Sequence, residues 1–265
     1  MLGNGTFHGM YNPSAVWAND TRIKFDGVND NIEILDFKNI ANYEGSSFIN
    51  NFSVSFWFQH DGPVSLGSEQ TFWKIQNYPK GGEIIAKYNP TGGGRIMVIR
   101  DSVAGTLSSN PRLLSTTGMS NSNFGNLNHF VITVSDSAIG IYVNGSGVTQ
   151  TTSGSAQAWG VEVADSNYLF EFGRRHTFPG HNAKFLKGYM SNIAIYDSLI
   201  SSGQVADIYN NGEPKNELRS VFNNADPLVY HVSNERDFPH SSPFRQITMS
   251  DHLVDFNGAT LEPNA

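Results

Sequence analysis

This sequence predicts an all-β fold with one short helix near its C-terminal end. Three observations carry that expectation. Apolar and polar residues alternate with period two in several runs, most clearly in NFSVSFWFQ over 51–59, where Phe52, Val54, Phe56 and Phe58 share one face. Charged residues are 15% of the 265, below the usual quarter, and polarity comes instead from Asn, Ser, Thr and Gly, which favour turns and strands over long solvated helices. Helical spacing is clear at Val205, Ile208 and Tyr209.

The length suits one large β-domain with an appendage. A core of that size needs no disulfides, and the chain has no Cys. The formal net charge of -7 shows no nucleic-acid footprint. Residues 1–20 contain neither a basic n-region nor an apolar h-region, so no signal peptide is expected. No run of about 18 apolar residues occurs, so no membrane insertion is expected. The sequons at Asn4, Asn19 and Asn51 mean little without secretion.

Residues 1–20 read as an irregular arm packing through Phe7, Tyr11 or Trp17. Strands are expected at Arg22–Asp26 and Asn31–Leu35, with turn chemistry at Asp26-Gly27 and Asn29-Asp30 between them. After the 51–59 strand, residues 61–82 read as a long loop. Strands follow at Glu83–Tyr88, Arg95–Arg100 and Arg112–Ser115, with a tight turn at Gly92–Gly94. Asn128–Ser135 and Ala138–Asn144 form a hairpin across Asp136-Ser137, and 146–166 is a polar excursion. Tyr168–Gly173 is a strand, and Arg174–Lys184 a loop. The strand within 185–196 places Tyr189, Ser191, Ile193 and Ile195 on one face and Met190, Asn192, Ala194 and Tyr196 on the other. Ser201 or Ser202 caps the helix, Asn211-Gly212 closes it and Pro214 prevents continuation. Beyond Gly212, Leu228–Val232 and His252–Phe256 read as short strands in an otherwise irregular segment, too apolar for a disordered linker.

The sequence from Phe185, Gly188, Met190, Ile193, Ile195 and Tyr196 to Ser201, Gln204, Val205, Ile208, Tyr209 and Gly212 resembles the C-terminal signature of laminin-G-like, concanavalin A-like lectin/glucanase domains. Other segments resemble the same family: the opening Phe25-Asp26-Gly27 with Asp30, then Phe52, Val54 and Trp57, EIIAKY over 83–88, His129, Tyr142, Val143, Asn144 and Gly145, and YLFEFG over 168–173. The resemblance brackets residues 25 to 212 and implies a two-sheet antiparallel jelly-roll sandwich. The expected organisation is an N-terminal arm (1–20), the jelly-roll domain (21–212) and an irregular C-terminal appendage (213–265) packing on the sandwich or on a partner. The stretch after Gly212 also resembles a tail that follows such domains in viral and phage structural proteins.

Catalytic patterns are missing. Glucanases of this fold are expected to carry Glu-x-Asp-x-Glu on one strand face, whereas Glu33/Asp36 and Glu162/Asp165 are three apart and point to opposite faces of a strand. There is no Gly-x-Ser-x-Gly, Gly92–Gly94 lacks the lysine of a phosphate loop, and His176 and His181 sit five apart in a loop. Calcium binding, which the family resemblance implies for many members, is an option but not a requirement; its candidate oxygen ligands are Asp26, Asn29 and Asp30, with Asn144 a separate candidate. The competing reading is that these are turn residues.

Sugar recognition needs aromatic faces beside planar polar groups. Two loops supply them: Trp73, Tyr78 and Lys80, and Arg174, Arg175, His176, Phe178, His181 and Asn182. The competing reading is that the aromatics plug the sandwich end and the arginines pair with acids. The expected function is a non-catalytic, lectin-like binding or decoration protein on a virion surface (capsid, tail or fibre), adhering to a glycan or host polysaccharide, homo-oligomeric and in contact with other virion proteins. A purely structural decoration protein is the alternative, and a glycoside hydrolase a more distant one.

Overall fold

The computed structural model describes residues 21–34, 48–49, 51–62, 69–77, 82–90, 94–101, 112–116, 124–135, 137–153, 161–162, 168–175, 184–196, 198–213, 229–231, 254–255 and 260–263. Two antiparallel sheets face each other. The first runs, in spatial order, β11 (Ser146–Gly147), β10 (Ile139–Val143), β9 (Asn128–Val134), β4 (Phe52–His60), β17 (Lys187–Tyr196), β1 (Thr21–Asp26) and β20 (Thr260–Pro263), with β18 (Val229–His231) also beside β17. The second runs β12 (Gln150–Ser153), β8 (Arg112–Thr116), β7 (Arg95–Asp101), β6 (Gly82–Asn89), β5 (Gln70–Asn77), β14 (Tyr168–Phe172), β2 (Ile32–Ile34) and β19 (Val254–Asp255). Two small ladders stand apart, β3 (Phe48–Ile49) with β13 (Val161–Glu162), and β15 (Arg174–Arg175) with β16 (Lys184–Phe185). The expected all-β jelly-roll sandwich with one short C-terminal helix is the observed architecture.

Alternation builds the core. Phe52, Val54, Phe56 and Phe58 point inward from β4 and meet Phe72, Trp73 and Ile75 of β5 and Ile84, Ala86 and Tyr88 of β6. The rings interlock, with Phe56 and Phe72 centroids 5.1 Å apart and Trp73 stacked on Phe170 at 5.6 Å. Burying such a side chain stabilises the fold by roughly 1.5–3 kcal/mol.

The alternation expected along 185–196 breaks inside β17. Its pairing with β4 shifts between Ser191 and Ala194, and Asn192 takes φ +47°. The extra residue reverses the phase. Met190, Ile193 and Ile195 all enter the central core, while Ala194 and Tyr196 turn to the opposite side. There they pack under α1 (Ser202–Tyr209) with Val131, Ile200, Val205 and Ile208. Ser201 is the helix cap: its side chain accepts from the Gln204 backbone N–H while the Gln204 side chain accepts from the Ser201 N–H. The stop is Asn210 in the left-handed region, one residue before the expected Asn211.

The expected loop at 61–82 contains strand β5. Its register with β6 shifts between Thr71 and Trp73, so the consecutive residues Phe72 and Trp73 both face the core and the period-two signal is lost. The Arg174–Lys184 loop begins and ends in the β15–β16 ladder. From the segment after Gly212, β18 pairs with β17, β19 with β2 and β20 with β1. The outermost strands of both sheets are therefore β11 and β12 on one side and β19 and β20 on the other. No helix among the described residues is long and apolar enough to cross a membrane.

Candidate functional site

The second sheet turns its odd-phase residues away from the core, and several are charged yet buried. Lys74 on β5 lies between the inward Trp73 and Ile75, and sits opposite Glu171 of β14. Both are fully buried. Lys74 Nζ is 2.5 Å from Glu171 Oε2. Arg174 Nε donates to Glu171 Oε1 at 3.0 Å, and Asn31 Nδ2 approaches the same oxygen at 3.4 Å. Two strands away, Glu83 of β6 pairs with Arg175 Nη2 at 3.5 Å, and Lys87 Nζ donates to Glu69 Oε1 at 2.7 Å. Burial pushes the Lys74 and Lys87 ammonium groups below the ordinary lysine range, and the facing carboxylates partly oppose that.

This network matches acids with cations in a desolvated layer. Neither Glu171 nor Glu83 is presented as an acid and nucleophile pair would need to be. What it does mechanically is root the β15–β16 hairpin. Arg174 and Arg175 tie the ladder to β14 and β6, and its strands return through Arg174↔Phe185 and Arg175↔Lys184. The intervening residues 176–183 leave from a stem clamped by two ion pairs.

Of the residues expected to bind sugar, Trp73 is corrected. It is 0% exposed in the central core, stacked on Phe170 and edge-on to Phe52, because the bulge turns it inward. Arg174 and Arg175, expected in a loop, form β15, where they pair with the buried Glu171 and Glu83. Tyr78, Lys80, His176, Phe178, His181 and Asn182 lie outside the described residues.

The calcium candidates do not assemble into a cage. Asp26 Oδ1 accepts the N–H groups of Val28 at 2.7 Å and Asn29 at 3.3 Å, and Asp30 Oδ2 accepts the Asp26 N–H at 2.7 Å. These are turn hydrogen bonds, and they take oxygens that a cation needing 6–8 ligands would claim. Burial raises the Asp30 carboxyl above its usual range, as neighbouring Asp26 also does. Asn144 belongs to another place. Three strands separate β10 from β1, and its amide accepts from the His129 N–H at 2.9 Å and donates to Asn128 Oδ1 at 3.0 Å. No group of three or more His, Cys, Asp or Glu among the described residues is placed to hold a metal.

Reading the sequence did not find the Lys74–Glu171–Arg174 network. The signal was present, since charged residues fall between inward aromatics on β5 and β14, but a solvated face has the same pattern.

Comparison with known proteins bears directly on this fold. The family model described as the concanavalin A-like lectin/glucanases superfamily matches residues 26–206. The chain belongs to that superfamily. A structural match to this chain is the native heptameric SAP-like pentraxin from Limulus polyphemus, 12% identical, with a TM-score of 0.53 over 93% of this chain and 96% of that one. Another is a putative carbohydrate binding protein from Bacteroides ovatus, 15% identical, with a TM-score of 0.51 over 92% of this chain. The chain spans 60% of that second protein. No curated protein matches it. The resemblances support a lectin-like fold.

Proposed function

We propose that this chain is a non-catalytic glycan-binding protein that adheres through the loop carried by β15 and β16. The observation that carries the reading is the stem: two arginines hold a ladder of two residues per strand against buried Glu171 and Glu83. A loop bearing His176, Phe178, His181 and Asn182 is thereby fixed at its base, which lowers the ordering cost of binding. Membership of a lectin/glucanase superfamily and the likeness to a protein described as carbohydrate binding support the substrate class. The neutralised carboxylates support binding over hydrolysis. Homo-oligomeric display is supported by the heptameric pentraxin neighbour. Placement on a virion, in contact with other virion proteins, rests on the sequence resemblance of the tail segment.

Ion pairing of both arginines is also what a purely structural decoration protein would show, and that is the second reading. A glycan array probed with the full chain separates the two. Specific binding lost in Phe178→Ala and His181→Ala, with thermal stability unchanged, is expected. No binding to any glycan by folded protein would favour the structural reading. Sugar release from a bound polysaccharide would overturn the non-catalytic assignment.

A further inference from the structure

Four strands end the two sheets, and three of them are protected against further pairing. β20 carries Glu262 and ends at Pro263, which has no N–H to donate. β19 is two residues long and carries Asp255. β11 is also two residues long, and the chain itself takes up the stretch of β10 beyond it. There the Val148 N–H donates to the Ile141 carbonyl at 3.0 Å. The Gln150 side-chain amide, turned so that both of its groups are satisfied, donates to the Ile139 carbonyl at 2.9 Å and accepts from the Ile141 N–H at 2.7 Å. A side chain thus stands where a neighbouring strand would place a peptide group.

β12 has none of these devices. It is four residues long, pairs with β8 in unbroken register, and carries no charge and no proline. Among the described residues no strand lies beyond it. Thr151 and Thr152 are successive, so they point to opposite faces of the strand, and both are exposed. The outer side of β12 is therefore an open row of backbone donors and acceptors. Its setting is as uncharged as the strand. From Ser137 to Gly160 the sequence has no Asp, Glu, Lys, Arg or His, in a chain of net charge -7. Depletion of charge is what separates the centre of a protein interface from the rest of a surface.

We infer that β12 is the edge through which two copies of this chain join, antiparallel and about a twofold axis, so that their second sheets run on as one. The inference rests on the homo-oligomeric part of the proposed function and names its surface; glycan binding does not enter it. Charge complementarity selects the occupant. Two chains of the same net sign repel each other where their charges meet, but here they meet through a stretch that carries none. A twofold axis sets this stretch against itself, so the exposed threonines of one copy face those of the other, a favourable pairing across antiparallel strands. Each copy uses its β12 edge once, and the dimer closes.

Sedimentation velocity of the full chain, from about 1 μM to about 1 mM, tests it. A dimer that dissociates on dilution is expected. The double variants Thr151→Glu/Thr152→Glu and Thr151→Lys/Thr152→Lys should each raise its dissociation constant at least tenfold, because both set like charges opposite each other. The lysine form should do so even though it brings the net charge nearer zero. Mixing the two variants should restore a dimer, now of unlike chains. Ala206→Glu, on the exposed face of α1, should leave the dimer unchanged. Melting temperatures check that each variant folds. Wild-type protein that stays monomeric throughout would sink both the inference and the homo-oligomeric reading. Oligomers that persist in both double variants would overturn this edge alone and leave that reading standing. Dimers lost in both variants and not restored by mixing would overturn the antiparallel pairing.

Discussion

Acidification should unlatch the helix-covered side of the first sheet through one residue, His129. The ring is fully buried, with Nε2 2.9 Å from Ser55 Oγ and its face 5.1 Å from Trp57 by centroids, and Tyr209 of α1 lies beyond. Desolvation lowers its pKa from 6.5 to about 3. The unfolded chain therefore binds a proton between those two values that the folded chain refuses. The stabilisation is complete above about pH 6.5 and is lost progressively as pH falls towards about 3. Each pH step within that window costs about 1.4 kcal/mol, so about 3 kcal/mol is lost by about pH 4.5. That is a large share of a typical total of roughly 5–15 kcal/mol. The assay is urea unfolding, followed by Trp fluorescence, from neutral pH to about pH 4.5, for wild type and His129→Gln. The variant should start less stable but lose less on acidification, and the difference between the curves isolates His129 from the carboxylates. Parallel curves, or a ring titrating near 6.5 by NMR in the folded protein, would refute the reasoning.

Four further outcomes follow from the same geometry. Gly188→Ala should cost about 3 kcal/mol or more in denaturant melts, because a Cβ there meets the Gln59 carbonyl oxygen at 2.2 Å with φ at +145°, and the clash is with backbone. Glu171→Gln should cost about 3–5 kcal/mol by removing the carboxylate that pairs with buried Lys74 and with Arg174, and limited proteolysis should then cut the β15–β16 loop faster. Trp73→Ala should cost about 3–5 kcal/mol through the cavity it leaves while glycan binding by the surviving folded fraction is unchanged; selective loss of binding would restore Trp73 as a ligand contact. Added calcium should leave the melting temperature unchanged, since turn amides hold the oxygens of Asp26 and Asp30; a concentration-dependent rise would overturn that.

Most of the body was legible because alternation is a local property. Strands β4, β6, β7, β9 and β10 follow from period-two patterning, and the helix cap at Ser201 from the Ser-x-x-Gln spacing. What escaped was set by pairing. The bulges at Thr71/Trp73 and Ser191/Ala194 insert a residue that only the partner strand reveals, and each changed which side chains face the core. Trp73 looks like a loop aromatic in the sequence for the same reason, because its strand is phase-shifted. Arg174 and Arg175, expected in a loop, form a short strand; Glu171 is three residues before Arg174, but Glu83, the partner of Arg175, lies on a distant strand that no spacing along the chain reveals.

The side of the sandwich formed by β1 and β2 ends in hydrogen-bonded neighbours because two short strands lie along it, β19 against one sheet and β20 against the other. Trimming them would bare two rows of amides at once and turn a self-limiting particle into a template on which further copies could stack.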